Sequence, residues 1–152
     1  MTPYVAAFRT YTWDEDVAEL ARRFFAACPS ARQVVLADET RGKLPIPDGY
    51  EVVGHTEDTT PLGIPNEPKG SSLWYNVDYG AYFLRDALTA FPLYDLSESD
   101  LAVNLDLEPM VATVAAERLD IVTHDVRPSA SSWVWHETGL ASFDDPLRSL
   151  LC

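Results

Sequence analysis

The sequence predicts an α/β protein whose mostly parallel sheet carries helices on both faces, and three observations predict it. Apolar runs such as YVAAF (4–8) and QVVLA (33–37) lack the polar alternation of half-solvated strands, so they suit strands covered on both sides. Stretches with helical spacing stand between these runs, which is the order that parallel pairing requires. The 152 residues, 47% of them apolar and 11% aromatic, are enough for one domain around one core.

Taken in order, YVAAF is the first strand. Thr12 followed by Glu15 has the spacing of a capping box, and Val17, Leu20, Ala21, Phe24 and Cys28 then keep one helical face until Pro29 stops it. QVVLA is the second strand and runs into Asp38, Glu39 and Thr40; YEVVG (50–54) is the third, after a turn rich in Pro and Gly. Residues 55–72, HTEDTTPLGIPNEPKGSS, hold three prolines and two glycines without periodicity, and read either as a lid or binding loop or as plain surface. Ser71 or Ser72 caps the next helix, where Leu73, Val77, Ala81, Leu84, Leu88 and Phe91 form a stripe closed by Pro92. A fourth strand opens YDLSESDLAVN (94–104). Asp106 caps a further helix with Pro109 in its first turn and Met110, Val111, Val114 and Leu119 on its buried face, and IVTH (121–124) is the next strand.

Charge narrows the function. A formal net charge of -13, from 24 acids against 11 Lys and Arg, repels phosphate backbones and anionic headgroups, so nucleic acid and membrane surfaces are poor partners. An anionic small molecule needs the acids offset locally, by a helix N-terminus, a basic residue or a bound cation. Two cysteines make neither a disulfide framework nor a zinc site, and the expected setting is reducing and cytoplasmic. The opening MTPYVAAFRTYTWDED reaches Arg9 and then acids too soon for a signal peptide, and no 18 apolar residues run together, so membrane insertion is not expected. His136 and Glu137 begin an HExxH pattern, but position 140 is Leu.

In a parallel α/β sheet ligands bind off the carboxyl ends of the strands, near a switch in strand order. Those ends are Arg9 to Thr12, Asp38 to Thr40, His55 onward, Ser97 to Asp100 and His124 to Arg127. On an extended backbone Tyr94, Leu96, Glu98 and Asp100 share a face, with the two carboxylates about 6.6 Å apart along the strand, too far for one tight site. A turn at Ser99 would instead let one carboxylate take a hard cation while the other reaches it through water or holds a sugar hydroxyl. The plainer alternative is that the acids solvate a turn, with Ser97 and Asp100 bonded to local backbone.

Four stretches, YVAAFRTYTWDEDVAEL, QVVLADET, WYNVDYGAYFLRDAL and YDLSESDLAVN, resemble in order and type the nucleotide-binding half of a GT-A glycosyltransferase, a Rossmann-like fold, over residues 4–104. The resemblance implies a nucleotide-sugar donor. It places Arg9, Thr10 and Tyr11 around the nucleoside, Asp38 at the base and Asn76 near the start of the helix before the fourth strand. Glu98 and Asp100 fall at the Asp-x-Asp position that holds Mn²⁺ or Mg²⁺ and the sugar diphosphate. Glu98 stands where that motif has its first Asp, which keeps the charge on a longer arm.

The acceptor is not implied. Such a fold normally continues beyond the point where this chain stops, so a single α/β domain over residues 1–152, short of its acceptor half, is expected. Trp133 and Trp135 suit an acceptor pocket or an ordinary strand face, and Glu137, Asp144 and Asp145 are the candidates for a catalytic base beside their plain reading as surface acids. The terminal run Leu147 to Cys152 is apolar and predicts either further chain or a partner over it, most simply a second copy in a homodimer. Two other readings stay open: a non-catalytic α/β binding module, and a metal-dependent phosphohydrolase using the same acids.

Overall fold

The computed structural model describes residues 2–66 and 79–119. The chain divides into units 1–118 and 119–152, and the elements below belong to the first. Asn76, the expected helix start at Ser71 or Ser72, the expected strand 121–124, Trp133, Trp135, Glu137, Asp144, Asp145 and the apolar terminal run all lie outside the described residues.

Strand β1 (Tyr4–Thr10) is buried along its whole length, as a central strand with a helix layer on each face must be. Helix α1 (Glu15–Ala27) follows, and its cap differs from the expected one. Asp14, not Thr12, is the N-cap: its Oδ1 accepts from the Val17 N–H at 2.9 Å, while the Thr12 carbonyl accepts from the Thr10 hydroxyl at 2.6 Å. A carboxylate at that position, with Glu15 and Asp16 in the first turn, also answers the positive end of the helix dipole.

Strands β2 (Arg32–Asp38) and β3 (Val52–His55) come next, then a 3₁₀ turn (Thr60–Leu62), helix α2 (Tyr79–Ala87), strand β4 (Leu93–Glu98) and helix α3 (Glu108–Glu117). The four strands form one sheet in the order β3-β2-β1-β4, and every pairing is parallel. This is the α/β, Rossmann-like arrangement the apolar runs predict.

Period-two alternation divides the core. Tyr4, Ala6, Phe8 and Val35 pack with Val17, Ala21, Phe24 and Phe25 of α1 and with Leu107 and Val111 at α3. Val5, Ala7, Val34 and Leu36 pack on the opposite face with Leu84 and Leu88 at α2. Phe24 is fully buried, and truncating it to Ala would cost about 3 to 5 kcal/mol.

Two helices depart in detail from the sequence expectation. α2 ends at Ala87 rather than reaching Phe91, and residues 88–90 form a turn before Pro92. Asp106 does not cap α3 itself; its Oδ1 accepts from the Glu108 N–H at 3.0 Å, closing a turn around the actual N-cap, Leu107. Val111 lies one turn beyond Leu107 and shares its buried face, whereas Met110, about 100° away around the helix, is 40% exposed. Leu119, also expected in the core, is 39% exposed.

α3 is held to the end of α1 by polar contacts. The Leu107 N–H donates to the Ala27 carbonyl at 3.1 Å, and the Glu108 carboxylate accepts from the Ser30 N–H at 2.9 Å, the Ser30 hydroxyl at 2.7 Å and the Tyr4 hydroxyl at 3.0 Å. Among the described residues no helix is long and apolar enough to cross a membrane.

Candidate functional site at the carboxyl edge of the sheet

The strand order makes the site. From β1 the sheet runs one way through β2 to β3 and the other way to β4, so the switch point lies between β1 and β4, where an open α/β sheet leaves a crevice. Register sets Arg9 opposite Glu98 on β4 and opposite Leu36 on β2, and sets Asp38 opposite His55. Counting in twos from Val5, Val34, Val53 and Tyr94, all in or against the α2-side core, puts Arg9, Asp38, His55 and Glu98 on that same face. Four polar side chains from four strands thus line one edge.

Arg9 is almost enclosed, and its Nη1 donates to Glu98 Oε1 at 2.9 Å; the side chains are 11% and 49% exposed respectively. Helix α2 comes close to the sheet here because residue 80 is glycine. A Cβ at Gly80 would stand 3.3 Å from Leu36 Cδ2 and 3.7 Å from Arg9 Cδ and Nε. The helix therefore roofs the stem of Arg9.

At the other end of the row Asp38 Oδ1 accepts from the Thr40 N–H at 3.0 Å and the Thr40 hydroxyl at 2.6 Å, a local turn that occupies one carboxylate oxygen. Thr40 Oγ1 in turn accepts from the Glu57 N–H at 2.8 Å, tying the following loop to the end of β2. That loop closes on itself: the buried Thr59 hydroxyl donates to the Ile64 carbonyl at 2.9 Å, and Asp58 Oδ1 accepts from Thr60 and from Asn66 Nδ2. Glu39 lies along β3, where a Cβ on Gly54 would meet its Oε2 at 2.5 Å.

His55 is only 4% exposed. Its ring stacks on Phe83 of α2, with centroids 5.0 Å apart and planes inclined by 17°, and among the described residues neither ring nitrogen makes a well-formed hydrogen bond. Burial pulls its pKa below the usual imidazole range; Asp38, the Thr56 backbone and Glu39 pull it up in part, and Arg9 pushes it further down. The neutral ring is the favoured form.

The remaining expected residues are placed differently. Thr10 faces the α1 side and bonds its own loop, and Tyr11 is 71% exposed. The extended path from Glu98 to Asp100 does not occur: the Leu101 N–H donates to the Glu98 carbonyl at 3.1 Å, which turns the chain and leaves Asp100 exposed beyond the strand. Among the described residues no three His, Cys, Asp or Glu side chains are grouped as metal ligands. A groove of about 660 Å³ between Pro61, Leu62 and Ile64 and the α2 side chains Tyr79, Tyr82 and Arg85 includes none of the strand-end row.

Sequence reasoning placed His55 at a strand end without giving it a role, and missed Gly80 as part of this edge. The signal for His55 was its period-two relation to Val53, which sends it to the covered face. For Gly80, inside a helical stripe, only the approach of Arg9 and Leu36 reveals the reason.

Fold and edge together define an α/β protein with an all-parallel, Rossmann-like sheet and a polar row at its ligand-side edge. No protein-family model, curated protein or solved structure matches the chain.

Proposed function

We propose that this chain is a glycosyltransferase-like domain that binds a nucleotide-sugar at the β1/β4 switch point. The observation that carries the reading is the register pair Arg9 and Glu98 at the switch, with Asp38 further along the same face. A guanidinium suits a diphosphate, to which it can give two parallel hydrogen bonds, and an acid at the end of β2 suits a base N–H or a sugar hydroxyl.

A divalent cation fits this edge through carboxylate oxygens, which are the hard donors Mn²⁺ and Mg²⁺ prefer. Asp100, exposed in the turn, would hold it, and Glu98 would contribute only the oxygen not bonded to Arg9. When bound, the cation would offset the charge of a departing nucleoside diphosphate. Arg9 would bind and orient the diphosphate, and Asp38 would fix the nucleoside. Glu137, Asp144 and Asp145 stay the candidates for the base that activates an acceptor.

One observation favours a second reading, a binding module without chemistry: Glu98 is already neutralised by Arg9, so the edge can receive an anion with no cation at all. Calorimetry separates the two. The transferase reading expects Mn²⁺ to strengthen binding of a nucleoside diphosphate, and Asp100→Asn to remove that gain with the melting temperature unchanged. Equal affinity for both forms in Mn²⁺ would sink the metal assignment and leave the binding module. No binding of any nucleoside diphosphate would remove both readings.

A further inference from the structure

We propose that Glu98 is the specificity-determining residue of the anion site: its carboxylate stands in for the ligand on Arg9 in the free protein, and a diphosphate group takes its place. The inference rests on the diphosphate-binding part of the reading above, which the transferase and the binding module share, and adds which residue decides what anion reaches Arg9.

Arg9 and Glu98 are unequal partners. The Arg9 side chain is 11% exposed and that of Glu98 49%, with 2.9 Å between Nη1 and Oε1. Helix α2 lies over the stem of Arg9, since a Cβ on Gly80 would stand 3.7 Å from Arg9 Cδ and Nε, so the guanidinium has little room to swing toward solvent. Glu98 is the last residue of β4, and the chain turns directly behind it, where the Leu101 N–H donates to its carbonyl at 3.1 Å. Its backbone is fixed, while its carboxylate sits at the end of a flexible side chain that stands half in solvent.

The two halves of the pair therefore respond differently to separation. A carboxylate that swings into water recovers its hydration, whereas a cation as enclosed as Arg9 loses more than it recovers unless another anion replaces the first. Glu98 thus leaves by exchange. The place it gives up borders solvent at the switch in strand order, where an open α/β sheet receives its ligand.

Exchange sets a threshold for the incoming group. A free carboxylate offers Arg9 no more than Glu98 already does, and it lacks the tether that keeps Glu98 at high local concentration. A diphosphate carries more charge and enough oxygens for two parallel bonds to the guanidinium, so it outcompetes the tethered acid. Once displaced, Glu98 stays close as a like charge, which turns weaker anions away.

The experiment uses the intact chain without divalent cation. Inorganic diphosphate is titrated by calorimetry into the wild type, Glu98→Gln and Glu39→Gln, with and without acetate. Glu39→Gln removes the same charge from the same edge of the sheet, where the Glu39 carboxylate lies along β3. Glu98→Gln should bind diphosphate about tenfold more tightly than the wild type, and Glu39→Gln should gain much less, because a more distant charge is screened. Acetate should compete with diphosphate in Glu98→Gln and leave the wild type unaffected. A second measurement needs no variant to fold: on adding diphosphate to the wild type, the carboxyl carbon resonance of Glu98 should move to the position of a solvated glutamate.

Unchanged or lower affinity in Glu98→Gln, equal gains in Glu98→Gln and Glu39→Gln, acetate competing in both forms, or a Glu98 resonance that stays in place while diphosphate binds would each overturn the exchange and leave the anion site standing. Binding that appears only when Mn²⁺ is added would overturn it too. Binding to none of the three proteins, with Mn²⁺ or without it, would remove the anion site and this inference with it.

Discussion

Arg9 and Glu98 stand opposite one another in the β1/β4 ladder and join at 2.9 Å, so the side-chain bond across the switch point is between a nearly buried cation and a half-exposed acid. The asymmetry matters more than the distance. A charge as enclosed as Arg9 depends on its partners, whereas Glu98 is stabilised by water as well as by Arg9.

Glu98→Gln should therefore destabilise the domain by about 1 kcal/mol, and its loss should overlap with that of Arg9→Gln instead of adding to it. Urea unfolding of the two single variants and the double variant measures this. Strictly additive losses would mean that the pair contributes nothing as a pair.

Under the proposed function, Asp38→Ala should weaken binding of UDP far more than binding of inorganic diphosphate, since only the nucleotide would offer a base to Asp38. It should also cost the Thr40 turn, bonded at 3.0 and 2.6 Å, and lower stability by about 1 kcal/mol. Titration with both ligands decides it: parallel losses would reduce Asp38 to a turn-forming acid.

Gly80 supplies a test of how closely α2 meets the sheet. A valine there would press the contact at 3.3 Å against Leu36 and reach toward Arg9, and should cost about 2 kcal/mol despite removing a helical glycine. Thermal melting would show it, and under the proposed function nucleotide affinity should fall with it because the stem of Arg9 is displaced. A stabilised Gly80→Val variant would show that α2 rides clear of the sheet.

The buried His55 and the half-buried Asp95 give stability opposite slopes with pH. Asp95, on the α1 side, has its pKa raised by burial, partly offset by the Cys28 thiol that donates to it at 3.7 Å. A raised acid favours the folded state while protonated, so that contribution is present at low pH and is lost as pH rises through the folded pKa. Asp95→Asn should consequently raise the melting temperature more at pH 8 than at pH 4. For His55 the folded pKa is lowered from 6.5, so stability is lost as pH falls below the unfolded value and the unfolded chain alone takes the proton. His55→Phe should flatten that acid limb, and melts from pH 7.5 to 5 would reveal an unchanged slope if the ring were not enclosed.

Much of the fold was legible because its signals are local. YVAAF and QVVLA read as doubly covered strands, and both are: Tyr4 to Thr10 and Val34 to Ala37 are buried without a break. The helix after β1 was legible in its stripe, but its cap was misread by two residues, since Thr12 and Asp14 both offer a side-chain oxygen and only the backbone path chooses between them. Asp38 and Glu98 were legible as strand ends, and Arg9 as the last charged residue of β1. That Glu98 meets Arg9 was not, because residues 89 positions apart share no local pattern.

The sequence by itself determined which face the side chains of the strands take, since period two is a property of a few consecutive residues. Tertiary structure alone decided which strands are neighbours. Setting β4 beside β1 placed a carboxylate against Arg9, and laying α2 across β3 enclosed His55 under Phe83. Those outcomes depend on burying apolar surface among segments far apart in the chain, where the gain is shared by the whole core and no single stretch records it.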